Sequence, residues 1–224
     1  MYDIMVSLII CLKKVIYKMK KTLTLAILAG ICIGLGGTVY LSVDNPVVGA
    51  ALFSLGLLTI LGYGFNLFTG KVGYILDNKP SYLSSLMLIW LGNLIGTSLI
   101  AVFLSFTRVY EKLYAKVEPI VNTKLDDNII SVLLLAIGCG ICMFIAVDQY
   151  KKRSSTIRAL FVIFPVMVFI LCSFEHCVAN MFYFVLAGSF TLKTLIYLLV
   201  MTVGNTIGGL LIPVGKRIAG PDKE

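Results

Sequence analysis

Long apolar segments are the feature that most limits what this chain can fold into. Six stretches of the 224-residue sequence are apolar over about the 17–25 residues that a helix needs to span a bilayer. They comprise residues 23–43, 47–65, 82–106, 129–147, 159–174 continuing through 178–187, and 191–214. This spacing predicts an all-α membrane protein with six transmembrane helices.

The composition agrees with a chain that is surrounded by lipid. Hydrophobic residues make up 59% of the sequence and charged residues 13%, whereas soluble domains have about 45–50% and about 25%. A soluble fold of this size would have too little polar surface to cover so apolar a chain. We therefore expect the lipid bilayer to be its environment.

The placement of the basic residues predicts the topology. If the N-terminus lies in the cytoplasm, the segments on that side hold 14 of the 19 Lys and Arg residues. By the positive-inside rule, both termini are then cytoplasmic and the chain crosses the cell membrane several times. The same placement accounts for the net charge of +8 without a nucleic-acid partner, and no such partner is expected.

The first 22 residues differ from the rest of the chain. An apolar run is followed there by five lysines, which is the reverse of the order in a cleaved signal peptide. We expect residues 1–22 to form an amphipathic helix on the cytoplasmic membrane surface. Residues 23–216 are then the transmembrane domain and residues 217–224 a cytoplasmic tail. An alternative is that translation begins at Met19.

Two motifs occur twice, in the same order. GNLIG at 92–96 returns as GNTIG at 204–208, an offset of 112 residues, and FNLFTG at 65–70 corresponds to FEHCVA at 174–179, an offset of 109. Each copy contains three apolar stretches, so the second copy must enter the membrane from the opposite side. The prediction is a 3+3 inverted repeat with broken second and fifth helices, and with the substrate path between the repeats.

Glu175 and His176 lie inside the fifth apolar stretch. An ionisable side chain at bilayer depth costs about 2.5–3.5 kcal/mol even on insertion scales, so it is rare without a watery or protein-lined path. We interpret His176, the only histidine, as a transport residue. The alternative is a polar residue that bonds to the backbone of the broken helix. For Glu175 we favour a structural role, in which it caps the half-helix that follows.

Other function classes fit the sequence less well. An intramembrane enzyme needs a nucleophile or a metal set, but the chain has one histidine, no second carboxylate in its apolar stretches and no His-Glu-x-x-His pattern. We expect no enzyme activity, no metal and no cofactor, and the six cysteines are expected to be small core residues. An aquaporin-like channel for neutral solutes is the alternative, although the paired Asn-Pro-Ala loops of that class are absent.

Five motifs carry a resemblance to a known family. They are FSLGL at 53–57, LFTG at 67–70, WLGN at 90–93, FEHCVANM at 174–181 and GNTIG at 204–208. Over about residues 23–216 the sequence resembles the formate/nitrite transporter family. The resemblance implies a homopentamer of aquaporin-like protomers, each with its own pore for small monovalent anions such as formate, nitrite or hydrosulfide.

The resemblance also implies roles for individual residues. His176 matches the central histidine of the family, and Thr69 matches the threonine of its second-helix break. Lys124 matches a lysine of the outer vestibule, just before the fourth helix, and Asn180 matches the asparagine of the fifth-helix break. The constrictions on either side of the histidine correspond to Phe53, Leu57, Leu67, Phe68 and Phe169.

Several residues beside the pore are expected to be structural. These are Asn66, Asn93 and Asn205, together with Glu175. Two positions depart from the family. Many members carry an acid where this chain has Asn66, and many carry an asparagine in the fourth helix near Gly140.

The cost of desolvation suggests how an anion would cross. An anion that keeps its charge between rings of Phe and Leu would lose its hydration in a low-dielectric slit, at a cost of many kcal/mol. We expect Lys124 to draw the anion inward, and a proton from His176 or nearby water to let it cross as the neutral acid. Thr69 is expected to bond the imidazole and fix its tautomer. Formate, nitrite, hydrosulfide, lactate and acetate all remain candidate substrates.

Overall fold

Helices account for nearly all of the structure, a computed structural model that describes residues 2–154 and 156–220, with backbone alone for residues 2–9 and 11. Residues 221–224 of the predicted tail and the side chain of Cys11 lie outside the described residues. The elements are α1 (Tyr2–Ser42), α2 (Pro46–Tyr63), α3 (Phe68–Lys71) with a 3₁₀ turn (Val72–Asp77), α4 (Tyr82–Ser105), α5 (Tyr110–Asp126), α6 (Ile129–Lys152), α7 (Ile157–Leu171), α8 (Cys177–Leu186) and α9 (Leu192–Ala219).

Five of the helices in the described part of the chain are apolar and long enough to cross a membrane. They are α1 from Leu12 onward, α2, α4, α6 and α9. The shorter apolar helices α7 and α8 follow one another across the loop 172–176. This confirms the prediction of an all-α, multi-pass membrane protein, and α7 with α8 occupies the predicted fifth stretch.

The N-terminal helix is longer than the first apolar stretch. α1 runs without interruption from Tyr2 to Ser42. The expected division into residues 1–22 and 23–216 placed a boundary after residue 22, but no helix ends there. The lysines near its N-terminal end, which is cytoplasmic in the predicted topology, are exposed. The location of residues 1–22 on a membrane surface stays a prediction.

The segment between the third and fourth predicted helices contains a helix that hydropathy did not indicate. In α5, Leu113, Val117 and Val121 are buried at a spacing of four residues, so the helix presents one apolar face to the bundle. Its other faces are polar, and a hydropathy window averages the two. Lys124, which the sequence places just before the fourth predicted helix, lies in the last turn of α5.

Two helix pairs pack at very close range through glycine. α1 meets α4 at Gly30 and Gly96, and α6 meets α9 at Gly140 and Gly208. A Cβ at any of these four positions would overlap backbone atoms of the facing helix. A side chain at Gly140 would overlap the carbonyl of Asn205, so an asparagine at this position does not fit this packing.

A buried amide holds the break between α7 and α8. The Oδ1 atom of Asn205 accepts the N–H of Cys177 at 2.9 Å, and its Nδ2 atom donates to the carbonyls of Ala136 at 2.8 Å and Glu175 at 2.7 Å. Asn205 is completely buried. Its side chain therefore ties the break to α6 and α9 and satisfies backbone groups that no helix satisfies.

The break between α2 and α3 has a matching amide. The Oδ1 atom of Asn93 accepts the N–H of Phe68 at 2.8 Å, and its Nδ2 atom donates to the carbonyls of Ala26 at 2.8 Å and Asn66 at 2.9 Å. These partners precede those of the second break by 109 or 110 residues. Two copies of one folding unit would give this pattern. It supports the predicted repeat, whose inverted 3+3 arrangement stays a prediction.

Ser173 has a strained backbone, and relieving the strain should stabilise the protein. Its φ is 54°, whereas the equivalent position of the first break is Gly64, with a φ of 71°. The left-handed region costs a non-glycine residue about 1–2 kcal/mol. We expect Ser173→Gly to raise the free energy of unfolding by about 1 kcal/mol, measured by thermal unfolding in detergent.

Gly64→Ala is the matched control for this prediction. A Cβ at Gly64 would meet no atom within 4 Å, so its effect should come from the backbone alone and should lower the unfolding temperature. A Ser173→Gly protein that unfolds at the same temperature as the parent, or at a lower one, would contradict the assignment of strain.

Candidate functional site

Two cavities lie next to the helix breaks. The first, which we call the Lys124 cavity, has a volume of about 290 Å³. Its lining includes Lys124, Asp127, Phe169, Glu175, His176 and Asn180. The second, which we call the Lys151 cavity, has a volume of about 240 Å³. Its lining includes Leu57, Leu67, Lys71, Lys151, Arg153 and Arg158.

His176 is the N-cap of α8, and this fixes its tautomer. Its Nδ1 atom accepts the backbone N–H of Ala179 at 2.9 Å, so Nδ1 carries no proton. In the neutral ring the proton is then on Nε2, which lies 2.9 Å from Oγ1 of Thr69. The imidazole donates and Thr69 accepts. The expected bond between these two side chains is present, but the backbone of Ala179 is what selects the tautomer.

Glu175 is not the cap that we expected. Its Oε2 atom accepts from Nζ of Lys124 at 2.6 Å and from Nδ2 of Asn180 at 2.7 Å. The exposed fractions of the side chains are 13% for Lys124 and 4% for Glu175. Because His176 occupies the cap position, the carboxylate is left to pair with a lysine from another helix, and each charge stabilises the other in a buried setting.

Asn180 also lines this cavity. Its Nδ2 atom donates to Glu175, which settles the orientation of the amide. Its Oδ1 atom is buried and has no hydrogen-bond partner among the residues that the structure describes. The atom has almost no accessible surface, so it is a buried acceptor that is closed to the cavity.

Apolar side chains of the predicted constrictions line each cavity. Phe169 lines the Lys124 cavity and stacks on the ring of His176, with ring centroids 5.4 Å apart. It also contacts Phe53 edge to face at 5.9 Å. On the other side, Leu57 and Leu67 line the Lys151 cavity. All four apolar residues are buried, and their role as constrictions stays a prediction.

The remaining predicted residues lie near the pathway without lining either cavity. Phe68 is buried in the first break, where its N–H bonds to Asn93. Asn66 is half-buried and donates through Nδ2 to the carbonyl of Thr22 at 3.3 Å. Asn93 and Asn205 act on the backbone of the breaks, as structural residues.

Sequence reasoning missed the basic lining of the Lys151 cavity and the partner of Glu175. Lys124 follows Val121 by three residues on α5, so helical spacing would have placed it on the buried face had the helix been recognised. Asp148, which lies just beyond the fourth apolar stretch, is a second buried carboxylate and pairs with Lys152 at 2.8 Å. No group of three His, Cys, Asp or Glu side chains in the described ranges could hold a metal.

The helices, the two broken elements and the buried polar cluster define a multi-pass membrane protein with discontinuous helices. The family model described as formate/nitrite transporter matches residues 6–216, and the chain belongs to that family. It is 32% identical to the uncharacterized transporter YrhG of Bacillus subtilis (strain 168), over 88% of this chain and 84% of that protein.

Formate channels are also among the proteins that this chain resembles. It is 27% identical to the formate channel FocB of Escherichia coli (strain K12), in an alignment that covers 70% of this chain and 63% of FocB. A solved pentameric formate channel with formate bound matches with a TM-score of 0.77 and 26% identity, over 89% of this chain and 95% of that one.

A double-mutant cycle should show that the Lys124–Glu175 pair is coupled. Removing one partner leaves the other charge buried without a counter-ion, which costs about 3–5 kcal/mol, whereas replacing both removes that penalty. We expect Lys124→Met and Glu175→Gln each to lower the unfolding temperature in detergent. The double variant should be more stable than the sum of the single effects by about 1–3 kcal/mol.

The exposed pair of Lys116 and Asp44 is the matched control. Its atoms are also 2.6 Å apart, but the side chain of Asp44 is 87% exposed. Exposed pairs contribute about 0.2–1 kcal/mol, so the same cycle with Lys116→Met and Asp44→Asn should give little coupling. Equal coupling in the two cycles would mean that burial of Glu175 does not matter.

Proposed function

We propose that this protein is a membrane channel for small monovalent anions of weak acids, and that transport is linked to protons through His176. The observation that carries the proposal is the Lys124 cavity, where a buried cation, a carboxylate and an imidazole meet beside an apolar barrier. Formate, nitrite and hydrosulfide are the proposed substrates. The formate channels among the relatives favour formate.

The apolar barrier determines the form in which the substrate crosses. Phe53, Phe169, Leu57 and Leu67 offer no hydrogen bond, so a bare anion between them would lose its hydration without compensation. Crossing as the neutral acid removes most of that cost. The anion of a weak acid can be protonated at a modest cost in free energy, whereas the anion of a strong acid stays ionised. The barrier therefore favours the anions of weak acids.

The geometry of His176 couples its proton uptake to its role as a cap. A second ring proton must go to Nδ1, which already accepts the N–H of Ala179, so protonation breaks the cap of α8. We expect the ring to stay neutral until an anion in the Lys124 cavity stabilises the imidazolium. A proton that enters and leaves at Nδ1 keeps the bond from Nε2 to Thr69, and the cap then reforms.

Lys124 is the group of this cavity that attracts the anion, although Glu175 offsets part of its charge. We expect the anion to bind next to Lys124 before it takes up a proton.

We also propose a homopentamer in the cytoplasmic membrane, with both termini in the cytoplasm. The pentameric formate channel supports this assembly, and the exposed apolar side chains of the bundle offer surface for subunits and lipid. Native mass spectrometry of the protein from detergent is expected to give five copies. A stable monomer or tetramer would contradict the proposal.

Replacing His176 tests the coupling. Purified protein in proteoliposomes should take up labelled formate faster as external pH falls, and an internal pH dye should report acidification. Asn is a good N-cap but does not titrate, so His176→Asn should keep α8 intact while the pH dependence of uptake is lost. His176→Phe, which has neither property, should abolish the coupled uptake.

The outcomes separate the possible roles of the histidine. Full transport by the Asn variant with an unchanged pH profile would reduce His176 to a hydrogen-bond donor, with the proton coming from water. No formate, nitrite or hydrosulfide uptake by the parent protein, compared with empty liposomes, would overturn the proposed function itself.

A further inference from the structure

The Lys151 cavity is lined by four cationic side chains. Lys71, Lys151, Arg153 and Arg158 all contribute to its surface, and none of its lining residues is an Asp or a Glu among those that the structure describes. Leu57 and Leu67 form the part of the lining that adjoins the barrier. An anion in this cavity would thus be next to the barrier and surrounded by positive charge.

The nearest carboxylates are engaged elsewhere. Asp148 pairs with Lys152, which does not line the cavity. Asp77, after the first break, pairs with Arg217 at 2.8 Å. In the part of the chain that the structure describes, none of the four lining cations forms an ion pair with a carboxylate.

Aromatic rings hold three of the cationic groups in place. The Nζ atom of Lys151 is 3.7 Å from the ring centroid of Tyr74, and the guanidinium of Arg158 is 4.7 Å from that of Tyr150. Arg153 lies 4.5 Å above the ring of Phe161. A ring face attracts a cation without neutralising it. The charges are thus positioned by contacts that leave them able to bind an anion.

The two cavities differ sharply in charge. The ionisable groups that line the Lys124 cavity, apart from His176 and the tyrosines, are Lys124, Asp127 and Glu175, one cation and two carboxylates. The Lys151 cavity has four cations and no carboxylate. Clefts lined by one sign of charge concentrate ions of the other sign. Anions should therefore collect more strongly at the Lys151 cavity than at the Lys124 cavity.

We infer that the Lys151 cavity is a binding site for small anions and the mouth at which the pore collects its substrate, on the cytoplasmic side by the predicted topology. Guanidinium groups suit the oxygen pairs of carboxylates and other oxyanions. A cavity of about 240 Å³ holds such an ion together with water. The inference that anions bind here depends only on the residues that line the cavity. The role of the cavity in transport rests on the proposed function.

Binding is tested first, without transport. Purified protein at low salt is treated with an amine-reactive reagent, and labelling of Lys151 and Lys71 is followed by mass spectrometry with and without formate or sulfate. Both anions should slow the labelling of these two lysines, and Arg158→Gln should weaken the protection by about threefold or more. The exposed Lys20, outside the cavity, serves as the internal control.

Transport is tested next, with vesicles of defined sidedness. In inside-out vesicles the cytoplasmic face is outermost, and there Arg158→Gln should raise the half-saturating formate concentration by about threefold or more at low salt. The shift should shrink at high salt, where charges are screened. Lys20→Gln removes the same charge on the same side and should leave the value unchanged. Right-side-out vesicles should show a smaller effect of Arg158→Gln.

Each result bears on one of the two claims. Equal labelling of Lys151 with and without anion overturns the site. Protection together with an unchanged half-saturating concentration overturns its role as the collecting mouth. Protection in a protein that takes up none of formate, nitrite and hydrosulfide supports the site and overturns the proposed function instead.

Discussion

Backbone polar groups that leave a helix at membrane depth must find partners within the protein, and the structure depends on how two asparagines provide them. Asn93 and Asn205 each accept one N–H and donate to two carbonyls, so that each break is joined to two neighbouring helices. The close glycine contacts between α1 and α4, and between α6 and α9, bring these amides within reach. The breaks in turn place Thr69 and His176 side by side.

Much of the fold could be predicted because it follows from local patterns in the sequence. The length of the apolar stretches gave the helices, the repeated GNxIG motif marked the two amides, and the depth of His176 marked the pathway. α5 was not predicted, because an amphipathic helix averages to a polar segment in a hydropathy window. The Lys124–Glu175 pair spans 51 residues. Only the docking of α5 onto the break creates it, so no spacing rule could find it.

The two cavities of the proposed pathway hold their charges in opposite ways. In the Lys124 cavity, a cation and a carboxylate compensate one another, so a buried polar cluster exists at small net charge. In the Lys151 cavity three of the four cations lie over aromatic rings, which do not neutralise them. The barrier of Phe and Leu that we propose between the two cavities has no group that could stabilise a charge. Such a sequence suits an ion that is attracted as an anion and crosses in another form.

The cap role of His176 also limits which side chains can evolve at the centre of the pathway. Any replacement has to accept the N–H of Ala179 or α8 loses its first hydrogen bond, and short polar residues are the ones that do this well. An aspartate would cap the helix but would bring a fixed negative charge to an anion path. In the proposed channel, selectivity and folding therefore depend on one side chain, and both limit substitution at this position.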